Sequence, residues 1–98
     1  MQKKYKKEDF EGLLNTKFRV TFDSQNAYDV ELIEISESKP IKALDLTPFT
    51  LTFRGAPDEK IFQQRLYDVS SETLGDMALF LIPRFPDKEG VYYDVIFS

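Results

Sequence analysis

The sequence contains neither cysteine nor histidine. Without cysteine, disulfides, thiolate nucleophiles and zinc–cysteine sites are excluded. Without histidine, the chain lacks the commonest general base, the usual activator of a serine nucleophile and the commonest ligand of transition metals. We therefore predict a protein that is not an enzyme and that uses no metal or cofactor.

Long apolar runs are also missing, since no stretch of 18 apolar residues occurs. We therefore expect no transmembrane segment. The N-terminal residues are rich in lysine, but no apolar stretch follows them, so we expect no secretory signal peptide. The expected location is the cytoplasm or a virion.

Charge is unevenly distributed over the 98 residues, whose net charge is −4. Four of the thirteen basic residues, Lys3, Lys4, Lys6 and Lys7, lie in the first seven positions. We predict a basic flexible arm over residues 1–6 and a single domain over residues 7–98. The remaining chain is acidic, which argues against nucleic acid as the partner of the domain.

Most of the chain has the period-two alternation of β-strands, with many aromatic and β-branched residues. Before the first strand, Phe10, Leu13 and Leu14 have helical spacing, which predicts a short helix from about Lys7 to Leu14. Asn15 is expected to end it in the left-handed region. We predict a mainly β fold with six antiparallel strands in a meander, either a small barrel or a coiled sandwich. The strands are expected over residues 17–23, 27–36, 49–55, 64–70, 76–82 and 91–98.

The last two strands are predicted to form a central hairpin. The first of them is apolar on both faces, which indicates a strand covered on both sides. Pro83 is expected to weaken its pairing, because proline cannot donate a backbone hydrogen bond. Gly90 is available for a positive φ in the turn.

Three local patterns give finer predictions. The apolar phase slips at Ile33, which favours a β-bulge or a coiled, strongly bent strand. In the fourth strand, Leu66 is assigned to the core. The irregular segment 37–48 contains Ile41, Leu44 and Leu46, so part of it is expected to lie against the body of the domain.

Five side chains are candidates for contact with a partner, because Tyr and Arg are enriched at interaction hot spots. They are Arg54, Arg65, Tyr67, Arg84 and Tyr92. Together with Tyr93, the same residues could instead form an aromatic and basic surface that binds a glycan or single-stranded nucleic acid. The acidic pairs Asp87/Glu89 and Asp58/Glu59 are expected in solvated turns and not in a catalytic site.

Several sequence blocks resemble a small family of uncharacterised bacterial and phage-associated domains of unknown function. The blocks are FTLTFRGAPDEKIFQQRLYDV, LGDMALFLIP and VYYDVIFS, with the Phe53-Arg54-Gly55, Leu74-Gly75 and Phe80-Leu81-x-Pro83 elements and a terminal Tyr93-x-x-x-Phe97. The resemblance implies that such domains accompany phage tail-fibre or tail-collar proteins. The resemblance therefore implies a structural or assembly role, and it implies no catalytic residues.

These observations favour a non-enzymatic structural or assembly protein that acts through protein–protein contacts, with tail or baseplate subunits or a homo-oligomer as the expected partner. The alternative is a module that binds a small ligand or glycan at the mouth of the barrel. An enzyme built on carboxylates, lysine or tyrosine ranks third.

Overall fold

A computed structural model of the chain describes residues 5–45 and 47–97. Six antiparallel strands close into a small barrel, and one short helix, α1, precedes them at Glu8–Glu11. The strands are β1 (Lys17–Thr21), β2 (Ala27–Glu37), β3 (Phe49–Gly55), β4 (Arg65–Ser71), β5 (Gly75–Pro83) and β6 (Val91–Phe97). This confirms the mainly β class and selects the barrel over the coiled sandwich.

The strand order around the barrel is β1-β2-β3-β6-β5-β4, with β4 also pairing with β1. The predicted simple meander is therefore wrong, because β3 lies beside β6 and the chain crosses one end of the barrel before β4. Within β2 the register with β3 shifts between Leu32 and Glu34, which confirms the bulge at Ile33. The bulge lets an 11-residue strand bend around a small barrel.

Aromatic side chains fill both ends of the barrel. At one end Phe10 of α1 is completely buried and packs against Phe49 and Phe97. At the other end Phe62, from the segment between β3 and β4, stacks on Phe22 with ring centroids 4.2 Å apart. The strands fill the middle of the barrel with alternate inward-facing apolar residues. The aromatic side chains at the two ends complete this core.

A buried hydrogen bond holds the crossing segment against the barrel. The backbone N–H of Phe62 donates to the buried hydroxyl of Tyr93 at 2.9 Å. Burial raises the pKa of that hydroxyl. The bond satisfies a polar group that would otherwise be left without a partner in the core.

The N-terminal predictions are confirmed in part. The helix is shorter than expected, with turn residues after Glu11, and Leu14 is exposed. Asn15 has the expected positive φ of 66°. Residues 1–4 of the predicted arm lie outside the described residues, and Tyr5 packs against Phe10 and Phe97.

Burial corrects three predictions about the sides of strands and loops. Leu66 points outward and is 54% exposed, whereas its neighbours Tyr67 and Val69 are buried. β5 is covered only on the side of Met77, Leu79 and Leu81, and its other side faces solvent. Of the loop residues expected against the body, Ile41 and Leu44 are exposed and Leu46 lies outside the described residues.

The closing hairpin also differs from the prediction. Among the described residues, the pairing of β5 with β6 is limited to Ile82↔Asp94 and Pro83↔Tyr93, so the hairpin is not the centre of the sheet. Pro83 lies within the part of β5 that pairs with β6, whereas the pairing of β5 with β4 has already ended at Leu81. The glycine with a positive φ is Gly75, not Gly90.

Candidate contact surface

Three of the five candidate contact residues lie together on the outer face of the barrel. Arg54 on β3 is the cross-strand neighbour of Tyr92 on β6. The backbone N–H of Arg84, which follows β5, donates to the carbonyl of Tyr92 at 3.0 Å. These three residues therefore form one continuous patch that a single partner can contact.

The other two candidates lie elsewhere. Tyr67 is 6% exposed, and its hydroxyl donates to the carbonyl of Gln63 at 2.6 Å. Arg65 is exposed at the start of β4, opposite Leu81. Tyr67 thus offers a partner little surface, and Arg65 lies apart from the patch formed by the first three.

Cross-strand ion pairs cover much of the outer face of β1, β2, β3 and β6. Arg19 approaches Asp29 at 3.2 Å, and Arg54 approaches Glu31 at 3.5 Å. Arg84 lies 3.5 Å from the carboxylate of Asp94. Each pair is at least partly exposed and contributes little to stability by itself. Together they pair most charges of this face within the molecule.

An open groove of about 450 Å³ lies along the β1, β2 and β3 side of this face. Its lining includes Lys17, Arg19, Tyr28, Arg54 and Glu59. Burial raises the pKa of the Glu59 carboxyl, and Asp58 beside it acts in the same direction. The groove therefore combines both signs of charge with one partly buried aromatic ring.

The turn before β6 is organised by Asp87. Its carboxylate accepts hydrogen bonds from the backbone N–H of Glu89 at 2.8 Å and from the hydroxyl of Tyr92 at 2.9 Å. The backbone bond, followed by the tyrosine bond, holds the pKa of Asp87 below its ordinary value of 3.8. In return, the Asp87 hydrogen bond raises the pKa of Tyr92. This acidic residue therefore has a structural role in the turn.

We expect Tyr92→Phe to raise the pKa of Asp87, because the variant removes one donor to the charged carboxylate. Because the pKa of Asp87 is lower in the folded than in the unfolded protein, its carboxylate stabilises the fold at pH values above the unfolded pKa of about 3.8. That stabilisation is lost as the pH falls from there through the folded pKa. Carboxyl ¹³C chemical shifts followed from pH 6 to pH 2 measure the effect. Asp23, whose carboxylate is bound by Asn26, is the internal control. Superimposable Asp87 titrations in both proteins would contradict the assignment.

The outer face of β4, β5 and β6 differs from the ion-paired side. Leu66 and Phe80 are cross-strand neighbours, and Ile96 on β6 is exposed across the seam from Phe80, beyond the residue pairs that join β5 to β6. Their exposed fractions are 54%, 45% and 62%. We call Leu66, Phe80 and Ile96 the apolar row. Its continuation onto β3, at Thr50, is also uncharged.

The sequence-based assignment missed the apolar row because it placed Leu66 in the core and treated both sides of β5 as covered. One signal was available: Asp68 lies two positions after Leu66 and therefore shares its side of the strand. A charged residue on that side indicates solvent, so Tyr67 and Val69 belong inside. On β5 the same signal is present but weaker, because Asp76 shares the side of Phe80 but lies four positions away, and the residues after it are apolar on both sides.

Two kinds of feature are absent from residues 5–45 and 47–97. They contain no helix long and apolar enough to cross a membrane. They also contain no cluster of three or more side chains of the kinds that hold a metal ion.

Comparison with known proteins places the chain in a family. No curated protein and no solved structure matches it significantly. A family model described as "Domain of unknown function (DUF6916)" matches residues 5–97, which is nearly the whole chain. The chain therefore belongs to this family of domains of unknown function.

Proposed function

We propose that this domain is a non-enzymatic structural or assembly module that acts through contacts with another protein. The observation that carries the proposal is the apolar row. Leu66 and Phe80 expose apolar surface side by side, and Ile96 exposes more across the seam between β5 and β6, while the charges on the opposite side of the barrel are paired within the chain. Contiguous exposed apolar surface on a folded domain is typical of a protein interface.

The finer part of the proposal is a partner from a phage tail- or baseplate-like assembly. The likeness of the FTLTFRG and LGDMALFLIP blocks to phage-associated domains supports this part. Arg54, Arg84 and Tyr92 form a second patch that such a partner could contact. Arginine and tyrosine are the residue types that contribute most at such contacts.

The test is a pull-down with the tagged protein from a lysate of its source, with bound proteins identified by mass spectrometry. We expect stoichiometric capture of a tail, fibre or baseplate subunit and loss of that capture in Phe80→Arg. The matched control is Phe85→Arg, because Phe85 is 97% exposed and lies outside the apolar row. A strictly monomeric protein that captures no partner would overturn the proposal.

The second candidate function is binding of a small ligand or glycan, and the groove beside Tyr28 is the observation that favours it. The mouths of the barrel, where we expected such a site, are filled by Phe10 and Phe62. A ligand at the groove would meet mainly charged side chains. Thermal-shift screening of charged sugars distinguishes this function from protein assembly, with Arg19→Ala as the binding-deficient variant because Arg19 lines the groove and lies outside the patch of Arg54, Arg84 and Tyr92.

A further inference from the structure

The seam between β5 and β6 is paired at only one end. The described residues pair at Ile82↔Asp94 and Pro83↔Tyr93, and the register does not continue to Phe80 and Ile96. By contrast, β4 pairs with β5 from Arg65↔Leu81 to Ser71↔Gly75. β5 therefore pairs with β4 over most of its length, whereas most of its edge towards β6 is unpaired.

The unpaired edge carries backbone groups in a defined direction. The N–H of Arg84 points to β6, where it meets the carbonyl of Tyr92. Backbone groups of an antiparallel strand alternate in direction with a period of two residues. The N–H and carbonyl of Phe80 therefore also point to the β6 side, where the ladder has ended, while those of Leu79 point to β4.

We propose that this edge of β5 accepts an extended segment of a partner protein, which pairs with the strand backbone and packs on the apolar row. The inference rests on the proposed function and specifies how the partner is bound. An extended chain is the structure that supplies alternating donors and acceptors along a strand edge. Its outward side chains would lie between Phe80 and Ile96, with Leu66 on the other side of Phe80.

Charge indicates the composition of that segment. Asp68 and Asp76 are exposed on the outer face of β4 and β5 next to the apolar row, and neither forms an ion pair among the described residues. A segment with apolar residues beside Phe80 and basic residues beside Asp76 complements this surface. A second copy of the chain would instead bring the same carboxylates together, so it fits less well.

The probe is a capped seven-residue peptide with valine at alternate positions, two lysines at one end and two leucines at the other. It is made in both chain directions. We expect the better direction to bind and to slow amide hydrogen exchange of Phe80 by more than roughly tenfold at saturation. Exchange of Leu79, which already faces β4, should not change. Replacing both lysines by glutamate should weaken binding about tenfold, because two ion pairs are lost.

A peptide N-methylated on the backbone nitrogens that face β5 separates edge pairing from simple apolar contact. Its binding should be lost if the backbone pairs and kept if only side chains touch. Phe80→Arg should also lose the unmodified peptide, whereas Phe85→Arg should bind it as the native protein does.

Several outcomes would overturn this inference without affecting the proposed function. One is a Phe80 amide that is as protected as that of Leu79 in the free protein, because the edge would then already be covered. Another is binding of neither peptide direction at millimolar concentration. A third is a captured protein partner that leaves Phe80 exchange unchanged. Failure of the pull-down to find any partner would instead count against the proposed function itself.

Discussion

Replacing Gly90 by alanine is expected to lower the free energy of unfolding by about 3 kcal/mol, the upper range for overpacking a close-packed site. A Cβ at this position would collide with the carbonyl oxygen of Gly55 and lie 2.7 Å from Cγ of Arg54. The arginine could move, but the carbonyl belongs to β3, where Gly55 pairs with Val91. Relief of the clash therefore requires β3 and β6 to separate.

The backbone around Gly90 cannot easily move away from Gly55. Its N–H donates to the Asp87 carbonyl and its own carbonyl accepts from the Asp87 N–H at 3.0 Å. Gly90 is thus held between the turn and the end of β3. Close approach, and not a positive φ, is the reason that glycine is required here.

Gly12→Ala is the matched control, because a Cβ at Gly12 would meet no atom within 4 Å and its φ is −77°. We expect it to stabilise the protein by about 0.5 kcal/mol through the unfolded state. Urea unfolding followed by circular dichroism measures both variants. Equal midpoints for Gly90→Ala and Gly12→Ala would show that the Gly55–Gly90 contact does not constrain the fold.

The sequence was sufficient to predict the strands wherever one side of a strand carries polar residues. In β1, Phe18 and Val20 alternate with charged or polar residues, and both are buried as predicted. The bulge in β2 was also predictable, since the apolar phase changes at Ile33. Where polar residues mark one side, periodicity determines both the element and its orientation.

Orientation was not predictable where both sides of a strand are apolar. β5 has Leu79 and Leu81 on one side and Phe80 and Ile82 on the other, so transfer of either side from water is favourable. Asp76 shares the side of Phe80 and is a weak signal for solvent there, and closure of the barrel decides the orientation because the inner side of a closed sheet is the covered one. The apolar row at Phe80, and with it the proposed contact surface, became visible only once the barrel was known.

The order of the strands and the close contact between Gly55 and Gly90 were likewise not predictable from the sequence. Nothing in the segment between β3 and β4 indicates that it crosses the barrel end and inserts Phe62 against Phe22. The contact between Gly55 and Gly90 joins positions 35 residues apart, and each glycine alone resembles an ordinary turn residue. Such features depend on pairing between distant strands, which local preferences do not encode.

Phe10→Ala is expected to lower the free energy of unfolding by about 3–5 kcal/mol, the usual cost of removing a fully buried phenylalanine ring. The ring is 0% exposed and lies 5.6 Å from the ring of Phe97 and 6.1 Å from that of Phe49, measured between centroids. Its loss would leave a cavity at the end of the barrel that α1 closes. A domain of this size is typically stable by only about 5–15 kcal/mol, so the variant should unfold at a much lower urea concentration.

Leu14→Ala provides the control for Phe10→Ala, because Leu14 lies just after the same helix but is 42% exposed. Its effect should stay below about 1 kcal/mol. Loss of cooperativity in Phe10→Ala alone, with an unchanged midpoint for the β-sheet signal, would mean that α1 undocks without unfolding the barrel. An unchanged midpoint with full cooperativity would contradict the role of Phe10 as the closure of the core. A large, cooperative loss would show that the sheet depends on this short helix, since six strands leave one end of so small a barrel open to water.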